Sequence, residues 1–265
     1  MDRVGDDVGH VVVHQAVEAP LSVALAGDQL GLAHGAALVG PRASCHVEAA
    51  LQLAPPQPPP AVQPQPDPDP APIRRAAELL TRAKLPLIHA GGGVLHAGAF
   101  EELAEIAELL HAPVTTSWSG RGVLRESHPL AWPMVHIKPV NQLRNAADVV
   151  LNLGARLGET DWWGKAPYWA QPDVQRHIQV DLEEDALGRN RPVDVAVQAD
   201  IKVFLRALID ELKGTIQPLA AREKSVARLA RARDRDRASL DAKLGDRSAP
   251  MLSAHVPAAC RQVFP

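Results

Sequence analysis

Two stretches in the middle of the chain decide the fold: ADVVLNLGARLGE at residues 147–159 and HIQVDLEEDALGRNRPVDVAVQADIKVFLRAL at residues 177–208. They contain three short apolar runs, at 149–153, 177–181 and 193–198. The runs are rich in β-branched residues and do not alternate between polar and apolar side chains, which indicates strands covered on both faces. Such strands are typical of a parallel sheet that lies between layers of helices.

The same alternation of strand and helix extends to both sides of these stretches. Strands are predicted at 85–90 and 113–117, and helices at 73–83, 98–111 and 139–147, with a further helix that starts at Ile201 behind the N-cap Asp200. Because crossovers between parallel strands are right-handed, the prediction is an α/β fold. We expect a doubly wound, mainly parallel, Rossmann-like sheet with helices on both faces, a poorly structured N-terminal segment and a helical tail.

Composition changes on both sides of this domain, which we expect to span residues 73–214. Residues 1–53 show no clear period, so whether they fold stays open. Residues 54–72 hold ten of the 24 prolines, which predicts an extended, solvated linker. Residues 215–265 carry mixed charges and few apolar positions, which favours a charged helical connector towards a C-terminal domain that is missing.

The overall composition excludes several classes of protein. A net charge of −3 gives no general attraction to nucleic acid or to anionic membranes, so neither is expected as a partner. The two cysteines, Cys45 and Cys260, are far apart and form no CxxC motif, which argues against a disulfide framework. The first residues are acidic and lack the basic-then-apolar order of a signal peptide, and no apolar run is long enough to span a membrane, so we expect a cytoplasmic protein.

Three predicted strand ends carry residues that suit a ligand, because doubly wound sheets bind ligands beyond the carboxyl ends of their strands. The turn Gly91-Gly92-Gly93 allows close approach of a phosphate, although it does not match GxGxxG. Gly154 and Arg156 place a flexible turn and a guanidinium after a second strand, and Asp181 could accept hydrogen bonds from a ribose. These glycines could equally serve only as tight turns. The aromatic cluster Trp162, Trp163, Tyr168 and Trp169 could stack on a flat ligand or pack under a loop.

At the level of whole segments, residues 73–213 resemble the central domain of thiamine-diphosphate-dependent enzymes of the acetolactate synthase and oxalyl-CoA decarboxylase type. Beside the two stretches quoted first, the resemblance is carried by AAELLTRAKLPLIHAGGGV at 76–94 and APVTTSWSGRGVLRESHPL at 112–130. The acidic strand end, the short helix and the proline before the last strand are the most specific part of the pattern.

This resemblance implies cofactors and partners for the parent enzyme. In such enzymes a first domain activates thiamine pyrophosphate through a glutamate, and a third domain binds the diphosphate and Mg²⁺ through a GDG motif. The middle domain is structural and in some members binds FAD or an adenine nucleotide. The resemblance places Gly91, Gly92, Gly93, Gly154, Arg156 and Asp181 along that nucleotide site. It also implies a homo-oligomeric parent that acts on 2-oxo acids or related C–C bonds.

No GDG occurs in the chain and residues 1–53 do not resemble a first domain. We therefore expect a fragment without a catalytic residue of its own, inactive by itself. The alternative is a stand-alone nucleotide-binding or assembly module, which flanking DNA without coding sequence for the outer domains would favour. A third interpretation is a metal- or RNA-binding protein, based on His10 and His14 or on the arginines of the tail.

Overall fold

The computed structural model describes residues 12–14, 22–24, 69–215, 220–245, 248 and 252–263. The chain divides into two compact units, residues 1–63 and 64–265. In the first unit, β1 (Val12–His14) pairs antiparallel with β2 (Ser22–Ala24). The remainder of the expectations for residues 1–53, and residues 54–68 of the linker predicted at 54–72, lie outside the described residues. The end of that linker prediction is wrong, because residues 70–72 form the start of a helix.

The second unit contains a six-stranded sheet in which every pairing is parallel. Its strands are β3 (Pro86–Ala90), β4 (Val114–Thr116), β5 (Ala131–Trp132), β6 (Val149–Leu153), β7 (Arg176–Asp181) and β8 (Val195–Gln198). Their order across the sheet is β5-β4-β3-β6-β7-β8. The chain thus builds one half of the sheet outward from β3 and the other half outward from β6, which confirms the doubly wound parallel fold.

Helices cover the two faces of this sheet. They are α1 (Pro70–Arg82), α2 (Gly92–His96), α3 (Phe100–Leu110), α4 (Ile137–Ala146), α5 (Ile201–Lys213), α6 (Ala220–Leu244) and α7 (His255–Val263). α5 packs against both α1 and α3, whereas α4 packs against α6. Right-handed crossovers require these two groups to lie on opposite faces, because the connections that carry α3 and α4 run in opposite directions across the sheet.

Two helix starts show how local chemistry sets the boundaries. α5 begins where predicted, with the Asp200 carboxylate accepting a hydrogen bond from the Val203 amide at 3.0 Å. α1 begins at Pro70, three residues before the predicted start at Ile73. The reason is the Asp69 side chain, which accepts from the Ala71 amide at 2.9 Å and caps the helix one turn earlier.

β5 and α2 were absent from the predicted elements. β5 is two residues long and pairs with β4, and α2 is a single five-residue helix that follows directly on β3. Elements this short contain no full hydrophobic period, so pattern analysis cannot detect them.

The predicted helical tail is confirmed as α6 and α7, but α6 is not solvated on all sides. Val226 is buried against the core, and the buried Arg222 donates to four backbone carbonyls at the ends of α1 and α3. Further along α6, Arg233 donates to the carbonyl of Ala131 at 3.0 Å and Asp236 lies 2.7 Å from the His136 ring. α6 is therefore part of the packed unit. No helix in the described parts of the chain is both long and apolar enough to cross a membrane.

Candidate functional site

A cavity of about 860 Å³ opens at the carboxyl ends of β3 and β6. These two strands are neighbours in the sheet, and the chain leaves them in opposite directions, so the cavity lies at the topological switch point. Doubly wound sheets bind their ligands at this point, because the diverging loops leave a crevice between them. The volume falls within the range of small-molecule sites, roughly 300–1,000 Å³.

Five of the six residues predicted from the sequence line this cavity: Gly92, Gly93, Gly154, Arg156 and Asp181. Gly91 does not reach it. Gly91 is buried, and its amide donates to the carbonyl of Leu153 at 2.8 Å. The sheet thus brings together three segments that are separated by as many as 89 residues in the chain.

The glycines allow the turns after β3 and β6 to pack backbone against backbone. Gly154 has a φ of +58°, and a Cβ added there would lie 2.6 Å from the Cα of Gly93. A Cβ on Gly91 would overlap the carbonyl oxygen of Gly154. The Gly93 amide donates to that same oxygen at 3.2 Å, so it is already paired within the protein. Of the three consecutive glycines, Gly92 therefore has the backbone best placed to approach a ligand.

The rim of the cavity carries two arginines and three carboxylates. Arg156 and Arg189 are both exposed, and the Asn190 side chain joins their segments by donating to the Arg156 carbonyl at 2.8 Å. Three carboxylates line the cavity from the segments that follow β7 and β8, and they belong to Asp181, Glu183 and Asp200.

One wall of the cavity contains a buried carboxylate that the sequence did not reveal. Asp161 is 3% exposed; its Oδ1 accepts from Arg144 Nη2 at 3.0 Å and lies 3.3 Å from His89 Nε2. Burial alone would raise the pKa of Asp161, but the charges of His89 and Arg144 outweigh burial and hold it below its usual value. Burial lowers the pKa of His89 below 6.5, so Arg144 is the partner that stays charged near neutral pH, with a pKa of about 10.

The aromatic cluster packs around this buried pair. The Trp169 indole donates to the Asp161 carbonyl at 2.9 Å, and the Arg144 guanidinium lies 4.5 Å from the centre of the Trp169 ring. Trp162 stacks on Tyr168 with ring centres 4.3 Å apart. These contacts favour packing under a loop over stacking on a ligand. Trp163 is the exposed member of the cluster and does not line the cavity, whereas Trp118, outside the cluster, is exposed at the cavity rim.

The sequence contained a sign that one face of the sheet carries buried polar side chains. His89, Asn152 and Gln179 each interrupt an apolar strand, and Thr115 lies on β4. The register places all four in one row across the sheet, with His89 opposite both Thr115 and Asn152, and Asn152 opposite Gln179. Because alternate side chains point to opposite faces, the row lies on one face of the sheet.

The described residues contain no group of three or more His, Cys, Asp or Glu side chains that could hold a metal ion. His10, half of the pair considered for metal binding, lies outside the described part of the chain.

Comparison with known proteins gives matches that centre on this domain. A family model described as "Thiamine pyrophosphate enzyme, central domain" matches residues 73–208. A protein named probable acetolactate synthase large subunit, from Methanococcus aeolicus, is 36% identical over 143 residues, which are 53% of this chain and 23% of that protein. Sulfoacetaldehyde acetyltransferase from Roseovarius nubinhibens is 37% identical over 164 residues, 59% of this chain and 26% of the relative.

Among solved structures, one from Mycobacterium smegmatis, assigned to the thiamin diphosphate-dependent enzymes, has a TM-score of 0.49 and 27% identity. The match covers 59% of this chain and 30% of that structure. The chain thus spans about a quarter of the length of the curated relatives that it matches.

Proposed function

Because the chain belongs to the family of thiamine pyrophosphate enzyme central domains, we propose that it serves as that domain in an enzyme acting on 2-oxo acids or related C–C bonds. The match over residues 73–208 carries this proposal, and the names of the relatives, a synthase and a transferase, support the reaction class. We also propose that the parent enzyme is a homo-oligomer in the cytoplasm. Size-exclusion chromatography with light scattering on the parent enzyme tests the assembly.

The family implies thiamine pyrophosphate and Mg²⁺, but the described residues do not fit these groups. A diphosphate-bound Mg²⁺ takes oxygen ligands from carboxylates, carbonyls and water. The described part of the chain has no cluster of three or more metal-binding side chains. Arg144 holds the buried Asp161 of the cavity wall in an ion pair, and His89 lies 3.3 Å from the same carboxylate. We therefore place the thiamine site outside this domain, and the chain alone is expected to catalyse nothing.

Calorimetric titration of the 265-residue chain with thiamine pyrophosphate and Mg²⁺ tests this assignment. We expect no binding heat at millimolar ligand. A stoichiometric signal with a Kd in the micromolar range would contradict it, because that affinity corresponds to about 8 kcal/mol of interaction.

The cavity at the switch point supports a second function, the binding of an adenine nucleotide such as ADP or FAD. Arg156 lies at the carboxyl end of β6 and can pair with a diphosphate, while the Gly92 backbone allows close approach on the facing turn. Asp181 ends β7 on the same rim and can accept hydrogen bonds from ribose hydroxyls. The location of the cavity is the observation that carries this proposal.

Thermal unfolding of the full chain with ADP or FAD measures this function. A bound nucleotide at a hundred times its Kd stabilises the chain by about 2.7 kcal/mol, which raises Tm by several degrees. The Arg156→Ala variant should lose most of this shift. Arg74→Ala, which removes an exposed arginine from α1, should keep it. Equal shifts for both variants would exclude the cavity as the site.

A further inference from the structure

Hydrogen bonds group the charged segments of the rim, since Asn190 joins the segments of Arg156 and Arg189, and the Ala199 amide beside Asp200 donates to the Asp181 carbonyl at 3.1 Å. The Asn190 side chain lies 2.8 Å from the Arg156 carbonyl. Asp181 and Glu183 come from the segment after β7. His96, at the end of α2, is the one histidine among the described lining residues.

The carboxylate side is fixed by local hydrogen bonds. Asp181 is half-buried at the end of β7, and its Oδ1 accepts from the Glu183 amide at 3.2 Å. This bond fixes the turn after β7, which brings Glu183 to the cavity rim beside Asp181. Asp200 adds a third carboxylate there and is held in place as the N-cap of α5.

This grouping of charge gives a bound nucleotide a direction. A diphosphate is attracted to the arginine side, so the ribose lies against the carboxylates, which accept hydrogen bonds from its free hydroxyls. A phosphate on a ribose hydroxyl would instead bring up to two negative charges against these carboxylates in a partly enclosed cavity, where like charges repel more strongly than in bulk water.

We propose that this cavity selects nucleotides with unmodified ribose hydroxyls and rejects those that carry a 2′- or 3′-phosphate on the adenosine ribose. The proposal rests on the proposed nucleotide site. It names Asp181 and Glu183 as the residues that determine specificity. Coenzyme A and NADP carry such phosphates, so they are not expected to bind in this cavity.

Titration calorimetry on the full chain tests the selection with ligands that differ from ADP by a single phosphate. The probes are ADP, adenosine 2′-phosphate 5′-diphosphate and adenosine 3′-phosphate 5′-diphosphate. We expect the Kd of each phosphorylated probe to be about tenfold higher than that of ADP or more, a difference that corresponds to about 1.4 kcal/mol. In the double variant Asp181→Asn, Glu183→Gln this ratio should fall to about threefold or less.

The matched control is Glu184→Gln, Asp185→Asn, which removes the same charge from the two following residues, neither of which lines the cavity. This control should keep the tenfold ratio. Glu183→Gln alone, a change at an exposed side chain, should lower the ratio partway and serves if the double variant does not fold. If ADP itself does not bind, the nucleotide function and the selection both fail. If ADP binds but the three probes bind equally, or if the ratio persists in the double variant, the selection alone is wrong.

Discussion

Stability at acidic pH should depend on His177, a side chain buried in the sheet away from the cavity. His177 lies on β7 opposite Val150, and neither of its ring nitrogens has a hydrogen-bond partner. Burial lowers its pKa from 6.5 to about 3, with smaller contributions from the nearby charges of Arg191 and His89. In the folded chain the ring is therefore neutral over most of the acidic range.

The sign of the effect follows from where the proton binds. Below pH 6.5 the unfolded chain takes up a proton on His177 that the folded chain does not, so acid favours unfolding. With a folded pKa of about 3, the contribution of His177 is complete above pH 6.5 and is lost as the pH falls towards 3. Linkage between these two pKa values gives a loss of about 2 kcal/mol between pH 7 and pH 5.

Urea unfolding at pH 7 and pH 5, followed by tryptophan fluorescence, measures this loss. His177→Leu keeps the side-chain volume and removes the titrating ring, so its free energy of unfolding should fall by about 2 kcal/mol less than that of the parent chain over this interval. His96→Gln, which removes an exposed histidine, should leave the slope unchanged. An equal pH dependence in the parent chain and His177→Leu would refute the argument.

Three further changes test the packing of the domain. Arg222→Ala should lower the free energy of unfolding by about 3 kcal/mol in a urea titration, because it leaves several helix-terminal carbonyls without their donor. The control Arg228→Ala, on the exposed face of α6, should change the free energy of unfolding by less than about 0.5 kcal/mol. Gly154→Ala should destabilise the chain by more than about 3 kcal/mol, because φ is +58° and the added Cβ meets backbone at 2.6 Å. Gly158→Ala, with nothing within 4 Å, should be nearly neutral in the same assay. Asp161→Asn should lower Tm by several degrees at pH 7, because the carboxylate with its lowered pKa stabilises the fold while it is ionised. The Tm of this variant should also be less sensitive to acid than that of the parent chain, because the variant has no carboxylate to protonate there.

The layer architecture was predictable because it depends on features that are repeated along the chain. Each long strand is a run of four to six residues that contains several aliphatic side chains, and α1, α3 and α5 each have an apolar stripe on one face, so a local pattern is sufficient. The N-cap Asp200 was found for the same reason. β5 was not predicted, because a two-residue strand is defined by its pairing with β4 and has no sequence pattern of its own.

The tail shows what composition leaves undetermined. Alternating arginine and aspartate in α6 reads as a solvated helix, and the exposed Arg231 and Arg235 agree with that interpretation. Arg222 and Arg233 lie on the other side of the helix, where their targets are backbone carbonyls. Every residue type has a backbone carbonyl, so no sequence motif predicts a carbonyl partner for an arginine. Only the tertiary structure distinguishes these two arginines from their exposed neighbours.

The candidate site residues likewise divide into those that the local sequence indicated and those that only the tertiary structure reveals. Glycines at strand ends indicated either tight turns or close approach to a ligand, and the structure shows that packing accounts for Gly91 and Gly93, whose amides donate to the segment at the end of β6. Packing of these turns is also what brings Gly92 and Arg156 to one cavity, so the two roles are not alternatives. Asp161 was missed since its partners, Arg144 and His89, are 17 and 72 residues distant in sequence. A polar residue in the middle of an apolar strand, as at His89, is the one local sign that a buried partner exists, because such a group is costly to bury without one.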